Sequence, residues 1–148
     1  MPKIRYHECR KIENIRSALR ASERLYGERP AFMQKTDGEY KTVTYSRFRD
    51  MYEALGTELW ARGLFGKRII VTGDNCLDWA TVYIAVVAGL GVIIPADKEL
   101  PAEELCNIAS ISEAAAIFYS PRLEQKVSTL PDSVAKFSFD AIPGLIAA

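Results

Sequence analysis

The chain has 148 residues, of which 49% are hydrophobic and 26% are charged. This ordinary composition excludes intrinsic disorder, a collagen-like repeat and a small disulfide-dense protein. The 19 basic and 19 acidic side chains balance, which argues against a nucleic-acid-binding protein, because such proteins usually carry a basic excess. The charges are unevenly placed: residues 1–29 carry eight basic and four acidic side chains, whereas residues 67–148 carry six and ten.

The cysteines and the N-terminus indicate a cytoplasmic protein. Cys9, Cys76 and Cys106 are odd in number and far apart, which is typical of thiols in a reducing compartment. The charged first ten residues contain no apolar run of the kind that a signal peptide needs.

Residues 79–96 form an uncharged run of 18, close to the length of a membrane-spanning helix. Gly89, Gly91 and Pro95 interrupt its second half. We therefore predict a buried helix followed by a buried strand, and no transmembrane segment.

The first part of the chain, divided into residues 1–29 and 30–66, predicts a helix, a hairpin and a second helix. Apolar residues recur at spacings of three and four over residues 12–26, which predicts an amphipathic helix. Its polar face carries Arg16, Arg20 and Arg24. Interspersed glutamates favour a solvated face over contact with phosphates or an acidic membrane. Asp37-Gly38 between two short runs predicts a hairpin, and a helix capped by Thr44 or Ser46 is expected up to Arg62.

From residue 67 onward, short apolar runs alternate with helical patterns. The predicted strands are 67–72, 92–95, 115–119 and 134–139, and the predicted helices are 76–88, a helix opening at Pro101, and 121–130. Such alternation predicts right-handed crossovers and a mostly parallel sheet flanked by helices. We expect a single α/β domain over residues 1–148. The small apolar residues 142–148 lead us to expect that the chain continues in a longer protein.

Few residues qualify for catalysis. His7 is the only histidine, so a Ser–His–Asp or Cys–His site would need it, and one histidine with three scattered cysteines does not suit a zinc site. Cys76 begins a helix, where the dipole lowers a thiol pKa, although a small buried residue is the simpler interpretation. Asp74 and Asp78 follow a strand and could act as an acid–base pair, or Asp74 could cap the helix.

Phosphate-binding loops are missing from the sequence. None of the nine glycines forms G-x-G-x-x-G or G-x-x-x-x-G-K-[ST], the patterns whose backbone N–H groups surround a phosphate. The residues alone therefore predict an α/β body with no catalytic residue, no metal ligand and no recognisable cofactor-binding residue.

Six segments in fixed order resemble AMP-forming acyl-CoA synthetases and related adenylating enzymes. They are residues 26–32 (YGERPAF), 43–45 (VTY) with the helix that follows, 63–71 (GLFGKRIIV), 74–79 (DNCLDW), 88–95 (AGLGVIIP) and 100–105 (LPAEEL). The resemblance covers about residues 26–126. Lys67, Ala88 and residues 96–98 depart from the family's usual pattern.

The resemblance implies the N-terminal subdomain of an ATP-dependent acid–CoA ligase, similar to long-chain fatty-acid–CoA ligases. Such an enzyme uses ATP, Mg²⁺ and coenzyme A to adenylate a carboxylic acid and form a thioester. The family's phosphate loop, acidic residues and catalytic lysine have no counterpart in these 148 residues, so no catalytic role is transferred to any position.

Three alternatives remain open at this point. The chain could belong to the adenylation domain of a peptide synthetase, which uses a carrier protein as thiol acceptor. It could be a non-catalytic binding or assembly module that keeps the scaffold. It could also be an unrelated small nucleotide-binding protein that uses the Gly73-Asp74-Asn75 turn. For a piece of a larger domain we expect uncovered apolar surface and a homo-oligomer that buries part of the 76–88 helix or a sheet edge.

Overall fold

The computed structural model describes residues 10–36 and 38–147. The helices are α1 (Ile15–Tyr26), α2 (Tyr45–Ala61), α3 (Leu77–Ala85), α4 (Ala102–Ile111), α5 (Glu124–Val127) and α6 (Ile142–Ala147). The strands are β1 (Pro30–Thr36), β2 (Glu39–Thr44), β3 (Arg68–Thr72), β4 (Val92–Ala96), β5 (Ala116–Tyr119) and β6 (Ala135–Ser138). The predicted α/β class is confirmed.

The main sheet has four parallel strands in the order β4-β3-β5-β6. The connection from β3 to β4 and the connection from β4 to β5 run in opposite directions across the sheet. Their helices pack on opposite faces, which is the arrangement that crossovers of one hand produce.

The central strands are buried on both faces because their apolar side chains alternate between two cores. Ile69, Val71 and Phe118 point toward the face that carries α2, α3 and α6. Ile70 and Ile117 point toward the face that carries α4 and α5. This is why the strands read as continuous apolar runs in the sequence.

α1 and the β1–β2 hairpin pack against α2. β1 and β2 form the predicted antiparallel hairpin, and Gly38 in its turn has a φ of +85°; Asp37 lies outside the described residues. Thr44 caps α2 by accepting a hydrogen bond from the Arg47 N–H at 3.2 Å. In α1, Asn14 and Ser17 form a reciprocal capping box, but no residue of the helix is fully buried.

Two predicted helices differ from the structure, and one segment for which no element was predicted is helical. The helix expected over 76–88 ends at Ala85 and continues as a π-helical turn over Val86–Leu90, because Gly89 there adopts a φ of +128°. The helix expected over 121–130 is a single short turn, α5, after a 3₁₀ turn. Residues 142–147 form α6, which places Ile142 and Leu145 in the core beside α2.

The uncharged run 79–96 contains a helix and then a strand, as predicted, with the π-helical turn between α3 and β4. The strand was expected to be buried, but β4 lies at the edge of the sheet and Val92 is 54% exposed. Among the described residues, no helix combines the length and the apolar character that crossing a bilayer would require.

Candidate functional site at the carboxyl edge of the sheet

The strand order singles out one position at the carboxyl edge of the main sheet. β3 and β5 are neighbours, yet the chain leaves β3 toward β4 on one side and leaves β5 toward β6 on the other. Open α/β sheets bind their ligands in the crevice formed where the connections diverge in this way. The loops that meet here begin at Gly73 and at Ser120.

These two loops are in direct contact. Gly73 has a φ of +146°, and a Cβ placed on it would lie 2.9 Å from the Cβ and the backbone nitrogen of Ser120. The Asp74 N–H donates to Ser120 Oγ at 2.9 Å, and the Ser120 N–H donates to the Thr72 carbonyl oxygen at 3.1 Å. The crevice is therefore closed by the chain itself, and the Asp74 amide is already hydrogen-bonded.

The Asp74 carboxylate is surrounded by cations from two other loops. Arg122 donates to it from Nε and from Nη2, both at 2.7 Å, and Lys98 donates from Nζ at 2.6 Å. The hydrogen bonds from Arg122 and Lys98 lower the pKa of Asp74 to about 2. We name Asp74, Lys98 and Arg122 the edge cluster; its carboxylate stays charged at neutral pH and cannot act as a proton carrier.

Two further contacts fix the surroundings of the edge cluster. Lys126 Nζ donates to the Lys98 carbonyl oxygen at 2.6 Å. Tyr119 donates its hydroxyl proton to Glu124 at 2.5 Å, and burial together with this carboxylate raises the pKa of Tyr119 to about 12. Both contacts tie α5 and its neighbouring loops to the end of the sheet.

Asp78 and Cys76, the other candidate catalytic residues from the sequence, are held by contacts within the fold. Asp78 does not pair with Asp74; burial, and then the charge of Asp140, raise its pKa. Cys76, rather than Asp74, caps α3, where its Sγ accepts from the Trp79 N–H at 3.5 Å. Burial raises the pKa of the Cys76 thiol above its ordinary value, which opposes a nucleophilic role. The acid–base pair and the Asp74 cap are therefore both wrong.

His7 and Cys9 lie outside the described residues. Within the described ranges, no group of three or more histidine, cysteine, aspartate or glutamate side chains is placed to hold a metal ion.

The carboxyl edge does not fit magnesium and a nucleotide triphosphate. The Asp74 carboxylate is already neutralised by Arg122 and Lys98, so it is a poor ligand for Mg²⁺. A phosphate site also needs several convergent backbone N–H groups, whereas Gly73 is packed on Ser120.

Sequence reasoning missed the edge cluster as a unit. Its members lie 24 and 48 positions from Asp74 along the chain, and no local motif links them. The single available signal was the unusual residues 96–98 after Pro95, which include Lys98.

Comparisons with solved structures agree on this fold. The N-terminal domain of FACL13 from Mycobacterium tuberculosis superposes with a TM-score of 0.83 at 17% identity, covering 93% of this chain and 36% of that one. FmoA3, described as a nonribosomal peptide synthetase, gives 0.75 at 17% identity over 90% of this chain and 14% of that one. NpsA from Klebsiella oxytoca gives 0.72 at 14% identity over 93% and 26%.

This chain thus spans about a third of the FACL13 chain and a smaller share of the FmoA3 and NpsA chains. A search of curated proteins found no match. A model of the family described as AMP-binding enzyme matches residues 19–143, which include every strand of the main sheet and the whole edge cluster. Because that match covers most of the sequence, the chain belongs to the AMP-binding enzyme family.

Proposed function

We propose that this chain is the N-terminal part of an ATP-dependent acid–CoA ligase, and that it is catalytically incomplete by itself. The family match over residues 19–143 supports the adenylating scaffold. The observation that carries the incompleteness is the lack of a glycine-rich phosphate loop in the 148-residue sequence. The closed crevice between Gly73 and Ser120 supports the same conclusion.

In this proposal, ATP, Mg²⁺, the carboxylic acid and coenzyme A bind the whole enzyme through segments outside these 148 residues. Adenylation depends on cations and a metal ion placed around the reacting phosphates. The contribution of this chain is a rigid support, with residues of β3 and β5 fully buried between two layers of helices. Free thiols at Cys76 and Cys106 support a reducing compartment, and we assign the chain to the cytoplasm.

The peptide-synthetase alternative has specific support. FmoA3 is described as a nonribosomal peptide synthetase, and one NpsA structure is described as an artificially fused adenylation–PCP di-domain. In that case the thiol acceptor is a carrier protein rather than coenzyme A. The two functions are separated by supplying the complete enzyme with an acid, ATP and each acceptor in turn.

The same lack of a phosphate loop supports a second alternative, a non-catalytic assembly module that keeps the scaffold. Sequencing the coding DNA beyond Ala148 distinguishes the two. A continuing frame that encodes a phosphate loop supports the ligase, and a stop codon followed by an unrelated gene supports the module.

The incompleteness is tested with the 148-residue chain. We expect no exchange of labelled pyrophosphate into ATP with fatty or aromatic acids, and no heat of Mg-ATP binding at micromolar concentration. Amide NMR signals of Gly73, Asp74 and Asn75 should not shift with AMP. Pyrophosphate exchange faster than in buffer without protein, or magnesium-dependent binding of ATP at micromolar concentration, would refute the proposal.

We also propose that the chain self-associates through α3 or a sheet edge. Trp79 and Tyr83 stack on α3 with ring centroids 5.2 Å apart and are only half-buried, and Val92 on β4 is 54% exposed. Exposed apolar surface of this kind promotes association. Sedimentation should show dimers or larger species, and a monomer at high concentration would contradict this.

A further inference from the structure

A groove lies between α1, α2 and the π-helical turn. Its volume is about 460 Å³, within the range of small-molecule sites. We name it the α1–α2 groove. The residues that line it include Arg16, Arg20, Tyr52, Glu53, Trp60 and Phe65.

The groove carries two guanidinium groups and one carboxylate. Arg16 Nε donates to the carbonyl oxygen of Ala88 at 2.5 Å, and within the described residues no carboxylate lies within ion-pair distance of it. Arg20 Nε lies 3.9 Å from Glu53 Oε1, which is too long for a hydrogen bond. Among the described residues, the lining of the groove therefore carries two positive charges against one negative charge, and neither guanidinium donates a hydrogen bond to a carboxylate.

Two large aromatic side chains border these charges without being covered. Trp60 and Phe65 are each 62% exposed. Aromatic side chains contribute much of the binding energy at recognition sites, because they bury large apolar areas with few rotatable bonds. Their position beside two guanidinium groups and a single carboxylate favours a ligand that is apolar at one end and anionic at the other.

Tyr52 supplies an independent observation. Its side chain is only 4% exposed, yet its hydroxyl takes part in no hydrogen bond with the part of the chain that the structure describes. Buried tyrosine hydroxyls ordinarily have a partner. No fully enclosed polar side-chain atom of the described residues lacks one, so this hydroxyl is not fully enclosed. Tyr52 lines the α1–α2 groove and also a neighbouring aromatic cavity, which Phe32, Phe48 and Trp79 line as well.

We propose that the α1–α2 groove binds an organic carboxylate with an aromatic or aliphatic body. The carboxylate accepts hydrogen bonds from Arg20 and from the Tyr52 hydroxyl, while Arg16 adds positive charge. The apolar body packs on Trp60 and Phe65. This site goes beyond the proposed function, because binding here needs neither ATP nor a thiol.

The test uses the 148-residue chain, with 3-phenylpropionate as the probe and 3-phenylpropanol as its uncharged counterpart. The indole N–H signals of Trp60 and Trp79 are followed by NMR and assigned with Trp60→Phe. We expect 3-phenylpropionate at millimolar concentration to shift the Trp60 signal. The alcohol should bind at least about tenfold more weakly than the acid, because a hydrogen bond to a charged group is lost.

Variants identify the groups that bind the carboxylate. Arg20→Gln and Tyr52→Phe should each weaken binding about tenfold, and thermal unfolding checks that both remain folded. Arg24→Gln is the matched control, because Arg24 is exposed on the same helix but does not line the groove; it should bind like the unchanged chain.

Four results would overturn the proposal. The first is an unshifted Trp60 signal, and the second is equal binding of the acid and the alcohol. The third is a shift of Trp79 alone, which would place the ligand in the neighbouring aromatic cavity. The fourth is a Trp60 shift that depends on protein concentration without added ligand, which would place a second copy of the chain in the groove.

Discussion

Replacing Gly73 by alanine tests whether the carboxyl edge of the sheet is closed by the chain itself. The φ of +146° at this position lies in a region that residues with a Cβ rarely adopt. The new methyl group would lie 2.9 Å from the Cβ and the backbone nitrogen of Ser120, and closer still to its Oγ. Compared with the unchanged chain, the backbone strain and the steric conflict together should lower the free energy of unfolding by roughly 3–5 kcal/mol.

Gly63→Ala is the matched control. Gly63 also has a positive φ, of +79°, but no atom lies within 4 Å of a Cβ placed there. This variant should therefore lose only the conformational term, about 1–2 kcal/mol. The difference between the two variants isolates the contact between Gly73 and Ser120.

Urea unfolding followed by circular dichroism measures both free energies. With a slope of about 2 kcal/mol per molar urea, the difference of about 2–3 kcal/mol between the two losses separates the midpoints by about 1–1.5 M. Equal midpoints would refute the reasoning. The loops after β3 and β5 would then be further apart than described, and the crevice would be open to a ligand.

Three other measurements test individual contacts. Asp74→Asn should remove a stabilisation that is present above about pH 4, because the pKa of Asp74 is lowered to about 2. The unchanged chain should therefore lose its advantage in stability as the pH falls toward 2, and acid-unfolding curves of the two proteins that stay parallel would contradict this. The raised pKa of Tyr119, about 12, predicts that stability falls between about pH 10 and 12, where the unfolded chain has lost a proton that the folded chain keeps; absorbance titration of Glu124→Gln should show this tyrosine ionising at lower pH, and an unchanged titration would argue against the hydrogen bond. Ile142→Ala should cost about 2–4 kcal/mol because α6 buries this side chain, whereas Ile111→Ala, at a position 83% exposed, should change thermal stability little; similar losses in both would contradict the packing of α6.

Most of the fold could be predicted because each element has a local cause. The runs around Ile69 and Ile117 are continuous and apolar, which indicated strands buried on both faces. Thr44 begins a helix because its hydroxyl accepts a backbone N–H, and that chemistry is visible in the sequence. The helix ends were less predictable, since the π-helical turn at Val86–Leu90 depends on Gly89 lying against Arg16 of a distant helix.

The candidate site could be predicted only in part. Asp74 was identified by its place after a strand, but its partners Lys98 and Arg122 come from other loops. Which charges neutralise a carboxylate depends on the order of strands in the sheet, and a pattern of apolar residues does not specify that order. The pairing with Asp78 was wrong for this reason.

The amino-acid sequence by itself determined the alternation of strands and helices, the adenylating-enzyme resemblance and the lack of a phosphate loop, because these are properties of neighbouring residues. The tertiary structure alone decided that Ser120 closes the crevice at Gly73. It also decided that Tyr52 is buried beside two cavities, with its hydroxyl in no hydrogen bond to the residues that the structure describes. Both facts arise from contacts between segments far apart in the chain, whose distances are fixed only when the sheet and its helices pack together.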